Sequence, residues 1–172
     1  MTDARAPAST RTSMSIKAPR ETLYRACTEP AALAAWRAPG EMTGAVHRFD
    51  LRVGGGYELS LYDPASDPTA PGKTSAREDR YTARFLALTP PRRIVEAITF
   101  DSADRAFAGE MTREVTLADD AGGTRVSVVF TDIPPGIRPE DNAAGTRSAL
   151  EQLARYVARG PVDRAAARRA GP

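Results

Sequence analysis

The sequence predicts an α+β fold, a curved antiparallel sheet of about six to seven strands around a long C-terminal helix, with two short helices after the first strand. Three observations lead there. Apolar spacing changes from a helical period to a two-residue period near Ala45 and returns to a helical one after Pro139. Glycine- and proline-rich turns separate the alternating stretches, so neighbouring strands join as hairpins and run antiparallel. One long amphipathic helix closes the chain, and the apolar face of the sheet is the only large surface on which it can bury its stripe.

Taken in order, Thr10 to Ile16 alternates weakly and suits an edge strand. Pro19 is placed to open a helix, along which Leu23, Ala26 and Cys27 form a stripe. Glu29-Pro30 ends that helix, because the residue before proline avoids helical backbone angles, and a second short helix spans Ala31 to Trp36. Ala45, His47, Phe49, Leu51 and Val53 then alternate with polar residues. Gly54-Gly55-Gly56 turns the chain into a strand carrying Tyr57, Leu59 and Leu61 on one side. Asp63 to Asp79, rich in proline and small polar residues, reads as a long loop. Strands follow over Tyr81 to Leu88 and Arg92 to Phe100, turned by Pro90-Pro91. After a loop over Asp101 to Gly109, Met111 to Leu117 and Thr124 to Phe130 pair across Asp119 to Gly123. Acids at Glu140 and Asp141 suit the positive end of the last helix, whose apolar face is Thr146, Ala149, Leu150, Leu153 and Val157, and Gly160-Pro161 stops it. The domain is therefore expected over residues 10–160, between a disordered lead-in over residues 1–9 and a disordered basic tail over residues 161–172.

Composition narrows the function. The chain of 172 residues carries 24 basic and 22 acidic side chains, a net charge of +2, which gives no basic surplus for nucleic acid. One cysteine and one histidine exclude a disulfide framework and a Cys/His zinc site within the chain, and no metal or other cofactor is expected. No apolar run approaches the roughly 20 residues of a membrane helix, and the start of the chain lacks a secretory apolar segment. A cytoplasmic protein without membrane or nucleic-acid partners is expected, with homodimerisation left open. Pro71-Gly72-Lys73-Thr74 imitates the end of a phosphate-binding loop, but Asp67 stands where that loop needs glycine and the flanks are not strand and helix.

Two residues are candidates for chemistry. His47, the only imidazole, is in phase with Phe49 and Leu51 and so is placed to face inward, where it can act as an acid or base; the other reading is a satisfied inward-facing histidine or one at the strand end near solvent. Glu96 alternates in phase with Ile94, Ile98 and Phe100, so it shares an apolar face where an unpaired carboxylate would be desolvated. It can orient a polar ligand group or act as a base, and Arg113, among Met111, Val115 and Leu117, can pair with it. The alternative phase, Val95, Ala97 and Thr99, is open as the inner face. Trp36, Tyr57, Tyr81, Phe85 and Tyr156 are bulky candidates for a cavity wall, with Leu150 and Leu153 contributed by the last helix. Cys27 falls on an apolar helix face and reads as buried and inert.

The stretches Ile16 to Trp36 (IKAPRETLYRACTEPAALAAW), Asp50 to Leu59 (DLRVGGGYEL), Pro90 to Phe100, Gly122 to Phe130 and Gly145 to Val157 together resemble the START-like, helix-grip (SRPBCC) superfamily. Within it the chain is most similar to proteins resembling the C-terminal domain of the activator of the heat-shock protein ninety ATPase. The resemblance implies a helix-grip fold with a cavity between sheet and helix, and three functions in this order. The first is binding of a small hydrophobic or amphipathic molecule by Trp36, His47, Tyr57, Tyr81, Phe85, Glu96, Arg113, Leu150 and Leu153. The second is a polyketide cyclase- or aromatase-like enzyme using His47 or Glu96. The third is chaperone co-activation, placed last because an unstructured lead-in stands where the eukaryotic activator has a docking domain. Many relatives end their last strand in histidine, where this chain has Phe130.

Overall fold

The computed structural model describes residues 7–38, 40–63 and 78–159. Residues 1–6 of the expected lead-in, the basic tail and most of the Asp63 to Asp79 loop lie outside the described residues, while Ala8 and Ser9, expected in the lead-in, belong to the first strand. The elements are β1 (Ala8–Ile16), α1 (Arg20–Thr28), α2 (Pro30–Trp36), β2 (Thr43–Asp50), β3 (Gly56–Tyr62), β4 (Glu78–Thr89), β5 (Arg93–Phe100), β6 (Glu110–Asp120), β7 (Gly123–Ile133) and α3 (Pro139–Ala158). The seven strands form one sheet in the order β1-β7-β6-β5-β4-β3-β2, with every pair antiparallel. This is the predicted α+β helix-grip architecture. Hairpins build β2 to β7 in sequence, and β1 completes the far edge against β7.

The two faces of the sheet differ as the alternation requires. Tyr57, Leu59, Tyr81, Phe85, Ile94, Ile98, Met111, Val115, Val126 and Val128 join the helices in one continuous core. The opposite face carries cross-strand ion pairs, Arg80 to Glu58, Arg84 to Glu110 and Arg93 to Glu114, which remain partly exposed. On β5 the inward phase is therefore the one with Ile94, Glu96 and Ile98. From α3, Ala149, Leu150 and Leu153 are buried, and Thr10 Oγ1 donates to Asn142 Oδ1 at 2.6 Å, which ties the start of that helix to β1.

Several boundaries differ from expectation for identifiable reasons. Strand β1 starts at Ala8, because its pairing with Ile133 extends the ladder past Thr10. Pro19 caps α1 from outside and Pro30 is the first residue of α2. Strand β2 ends at Asp50 rather than running to Val53; Leu51 and Val53 lie in the turn and are exposed. A short 3-10 turn over Arg105–Phe107 forms within the expected Asp101 to Gly109 loop, with Asp104 accepting from the Ala106 N–H.

The small helices are set by close backbone approach. A Cβ at Gly44 on β2 would meet the Ala34 carbonyl oxygen of α2 at 2.6 Å, so glycine lets α2 lie flat on the sheet edge. Trp36 Nε1 donates to the Ala26 carbonyl at 2.8 Å and fastens the end of α2 to α1. These two contacts fix where the residue after Trp36 leaves the helix.

Candidate functional site

Glu96 of β5 and Arg113 of β6 are direct cross-strand partners in the antiparallel register. Their inward phase forces both charged side chains into the core side of the sheet. Arg113 Nε donates to Glu96 Oε2 at 2.6 Å and Arg113 Nη2 stands 2.5 Å from the same oxygen. Tyr57 from β3 completes a triangle: its hydroxyl donates to Glu96 Oε1 at 3.1 Å and accepts from Arg113 Nη2 at 2.8 Å. Such charge-assisted bonds are what a carboxylate with no exposed surface needs to remain buried.

A fourth member arrives from α2. Arg37 Nη2 is 3.8 Å from Glu96 Oε2, an ion-pair distance but too long for a hydrogen bond. The Arg37 guanidinium lies over the Trp36 ring, 4.3 Å from its centroid. The Arg37 side chain is only 8% exposed, and its Nε is a buried donor with no partner. Arg113 in turn sits 5.7 Å from the Tyr81 ring centre and 5.9 Å from that of Phe130.

The electrostatics follow from this crowding. Burial pushes the Tyr57 hydroxyl well above its ordinary range and the Glu96 charge pushes it further, so it stays protonated as a donor. Burial by itself lowers the pKa of Arg113, but the attraction of Glu96, helped by Tyr57 and Tyr81, outweighs it and holds the guanidinium charged. Cys27, close enough to feel Arg37, Glu96 and Arg113, is raised to about 11, chiefly by burial. Its thiol is inert, as its helical position implies.

Against this cluster lies a cavity of about 330 Å³ between the sheet and α3. Its wall is mostly apolar: Trp36, Tyr81, Ile98, Phe100, Met111, Val128, Phe130 and Leu150 contribute, with Arg37 and Arg113 as the buried charged members. Asp79 and Asp141 stand at exposed positions on the same wall. Although Asp79 as a residue is exposed, its carboxyl is partly enclosed, and that burial, with the Asp63 charge beside it, raises it above its usual range.

Apart from Tyr156, which is partly buried against the core and does not line the cavity, the residues singled out in the sequence divide into three groups. Trp36, Tyr81, Arg113 and Leu150 line the cavity. Tyr57 and Glu96 stand behind Arg113 and hold it, while Phe85 and Leu153 are fully buried in the core. His47 is separate: it is exposed on the edge strand β2, with Nε2 2.8 Å from Ser60 Oγ, and it does not line the cavity. The physical reason is a register shift between Val46 and Arg48. Val46 and Phe49, three residues apart, both pack on the core, so the irregularity at His47 breaks the two-residue repeat that placed it inward. Ser60 itself is buried and donates to Glu78 Oε1 at 2.5 Å. Arg37 escaped the sequence reading. Its signal was its position four residues after Leu33 and next to Trp36, in phase with the buried side of α2.

The fold and this sheet-to-helix cavity define a helix-grip domain of the small-molecule-binding kind. Residues 17–158 match the model of the family described as Activator of Hsp90 ATPase homolog 1-like protein, and the chain belongs to that family. A crystal structure of a protein from Chromobacterium violaceum is 34% identical, covering 87% of this chain and 96% of that one, with a TM-score of 0.77. A structure from Rhodobacter sphaeroides shares 20% identity over 92% of this chain and 97% of that one, with a TM-score of 0.73, and so shares the fold. The solution structure of an AHSA1-like protein from Aeromonas hydrophila is 24% identical, covering 86% and 92% of the two chains, with a TM-score of 0.62. Comparison with curated proteins found no match. Among the described residues no helix is long and apolar enough to cross a membrane, and no group of side chains is arranged to hold a metal ion.

Proposed function

We propose that the protein binds one small amphipathic molecule in the cavity between the sheet and α3. The observation that carries this reading is the pairing of an apolar wall with a few buried, held polar groups at one place, the composition expected of a small-molecule site. A volume of about 330 Å³ suits a compact molecule of one or two rings rather than a long-chain lipid. The arrangement favours binding over proton transfer. Both Glu96 oxygens already accept from Arg113 or Tyr57, the Tyr57 proton is held tightly, and the single histidine is outside the cavity.

Gly145 offers a direct test. It lines the cavity from α3, and a Cβ there meets nothing within 4 Å. Gly145→Leu adds a side chain on the wall whose Cβ meets no neighbour and replaces a poor helix former with a good one. Native mass spectrometry of freshly purified protein is expected to show a bound small molecule that the Gly145→Leu variant, equally folded, retains poorly. A variant that carries the same molecule at undiminished occupancy would place the ligand elsewhere.

A further inference from the structure

Resting on that reading, we infer that the ligand is an anion: a compact apolar body bearing one carboxylate, or an acidic group of similar shape, seated on Arg37 with Arg113 beside it. The argument starts from charge. The buried cluster contains two guanidiniums and one carboxylate among the described residues, so it carries one positive charge in excess. Buried charges are normally paired, because removing an ion from water is costly unless a counter-charge and hydrogen bonds replace the lost solvation. Glu96 is fully engaged by Arg113 and Tyr57, which leaves Arg37 with only a 3.8 Å approach to Glu96 Oε2.

The geometry then distinguishes Arg37 from an ordinary core arginine. Its side chain is more than nine-tenths buried, lines the cavity, and leaves Nε without any acceptor. It is held in place by stacking on Trp36, itself pinned to α1 through Nε1. A planar guanidinium that lines an apolar cavity and is immobilised on Trp36 is shaped to take a carboxylate through two parallel bonds. Arg113 approaches the same Glu96 oxygen, so both cations converge on one end of the site. The cavity wall also carries two acids, Asp79 and Asp141, and neither forms an ion pair with Arg37 or Arg113 among the described residues. The apolar body of the ligand would lie along Ile98, Phe100, Phe130 and Leu150, and the acidic head against Arg37.

The test uses a matched pair, naphthalene-2-carboxylate and naphthalene-2-carboxamide, with isothermal titration calorimetry on the full chain, and a neutral solvatochromic naphthalene dye as an independent probe of the cavity. The carboxylate is expected to bind at least tenfold more tightly than the amide. Arg37→Met is expected to bring the carboxylate down to the level of the amide and leave the amide unchanged. Equal binding of acid and amide overturns the assignment while the cavity reading stands. So does an undiminished carboxylate affinity in Arg37→Met. If the neutral dye and both naphthalenes all fail to bind, the cavity reading falls and takes the anion with it. The comparison of acid with amide on the unmodified protein does not depend on how any variant folds.

Discussion

Neutralising Glu96 and removing Arg37 should have opposite consequences, although the two side chains belong to one cluster. Glu96→Gln keeps the shape of the side chain but deletes the one carboxylate that pairs with Arg113 and Arg37 among the described residues. It also presents amide hydrogens to Arg113 and Tyr57 donors that now point at a carboxylate. Breaking a buried pair in this way costs about 3–5 kcal/mol. For a chain of this size each kcal/mol moves the melting temperature by roughly 2–4 °C, so a fall of about 6–20 °C is expected. Arg37→Met removes the excess cation. It forfeits the stacking on Trp36, worth about 0.5–2 kcal/mol, but relieves a buried donor without a partner, which costs about 1–3 kcal/mol. The balance lies near zero or on the stabilising side. Thermal and urea denaturation of the two variants beside the parent protein, followed by circular dichroism at neutral pH, measures both. If Arg37→Met destabilises as much as Glu96→Gln, Arg37 is a structural partner of Glu96 and the picture of an uncompensated cation is wrong.

Two other outcomes follow from the same geometry. Gly44→Ala drives a Cβ to 2.6 Å from the Ala34 carbonyl, so α2 must lift from β2; a loss of about 1–3 kcal/mol is expected together with weaker ligand retention, because α2 carries Trp36 and leads into Arg37, and a variant with unchanged melting temperature and retention would show that α2 is not held there. Cys27, raised by burial from 9.0 to about 11, makes the folded state lose stability as pH rises: its contribution is complete below pH 9 and disappears through pH 11, with a limiting slope of about 1.4 kcal/mol per pH unit. Urea titrations between pH 8 and 11 should show that decline in the parent and a shallower one in Cys27→Ala; equal slopes would assign the decline to other groups.

The alternation of Tyr57, Leu59 and Leu61, the phase of Met111 to Leu117 and the stripe of α3 were enough to establish the sheet, its antiparallel hairpins and the helix packed on it, because side-chain period depends on local backbone geometry alone. The pairing of Glu96 with Arg113 was legible for the same reason: two charged residues in the inward phase of adjacent strands have to meet or remain unpaired. Which of the two phases of β5 faces inward was not legible, since Val95 and Ala97 are as apolar as their neighbours and only packing against α3 and the opposite face separates them. His47 shows the limit of period itself. One register irregularity, invisible in the residue types, turned it to the outside. Arg37 shows the limit from the other direction. Its burial and its approach to Glu96, about sixty residues away in sequence, arise only when Gly44 lets α2 settle on the sheet. Local spacing carries the elements; the excess positive charge at the end of the cavity exists only in the assembled structure, because it is a sum over side chains that no single element contains.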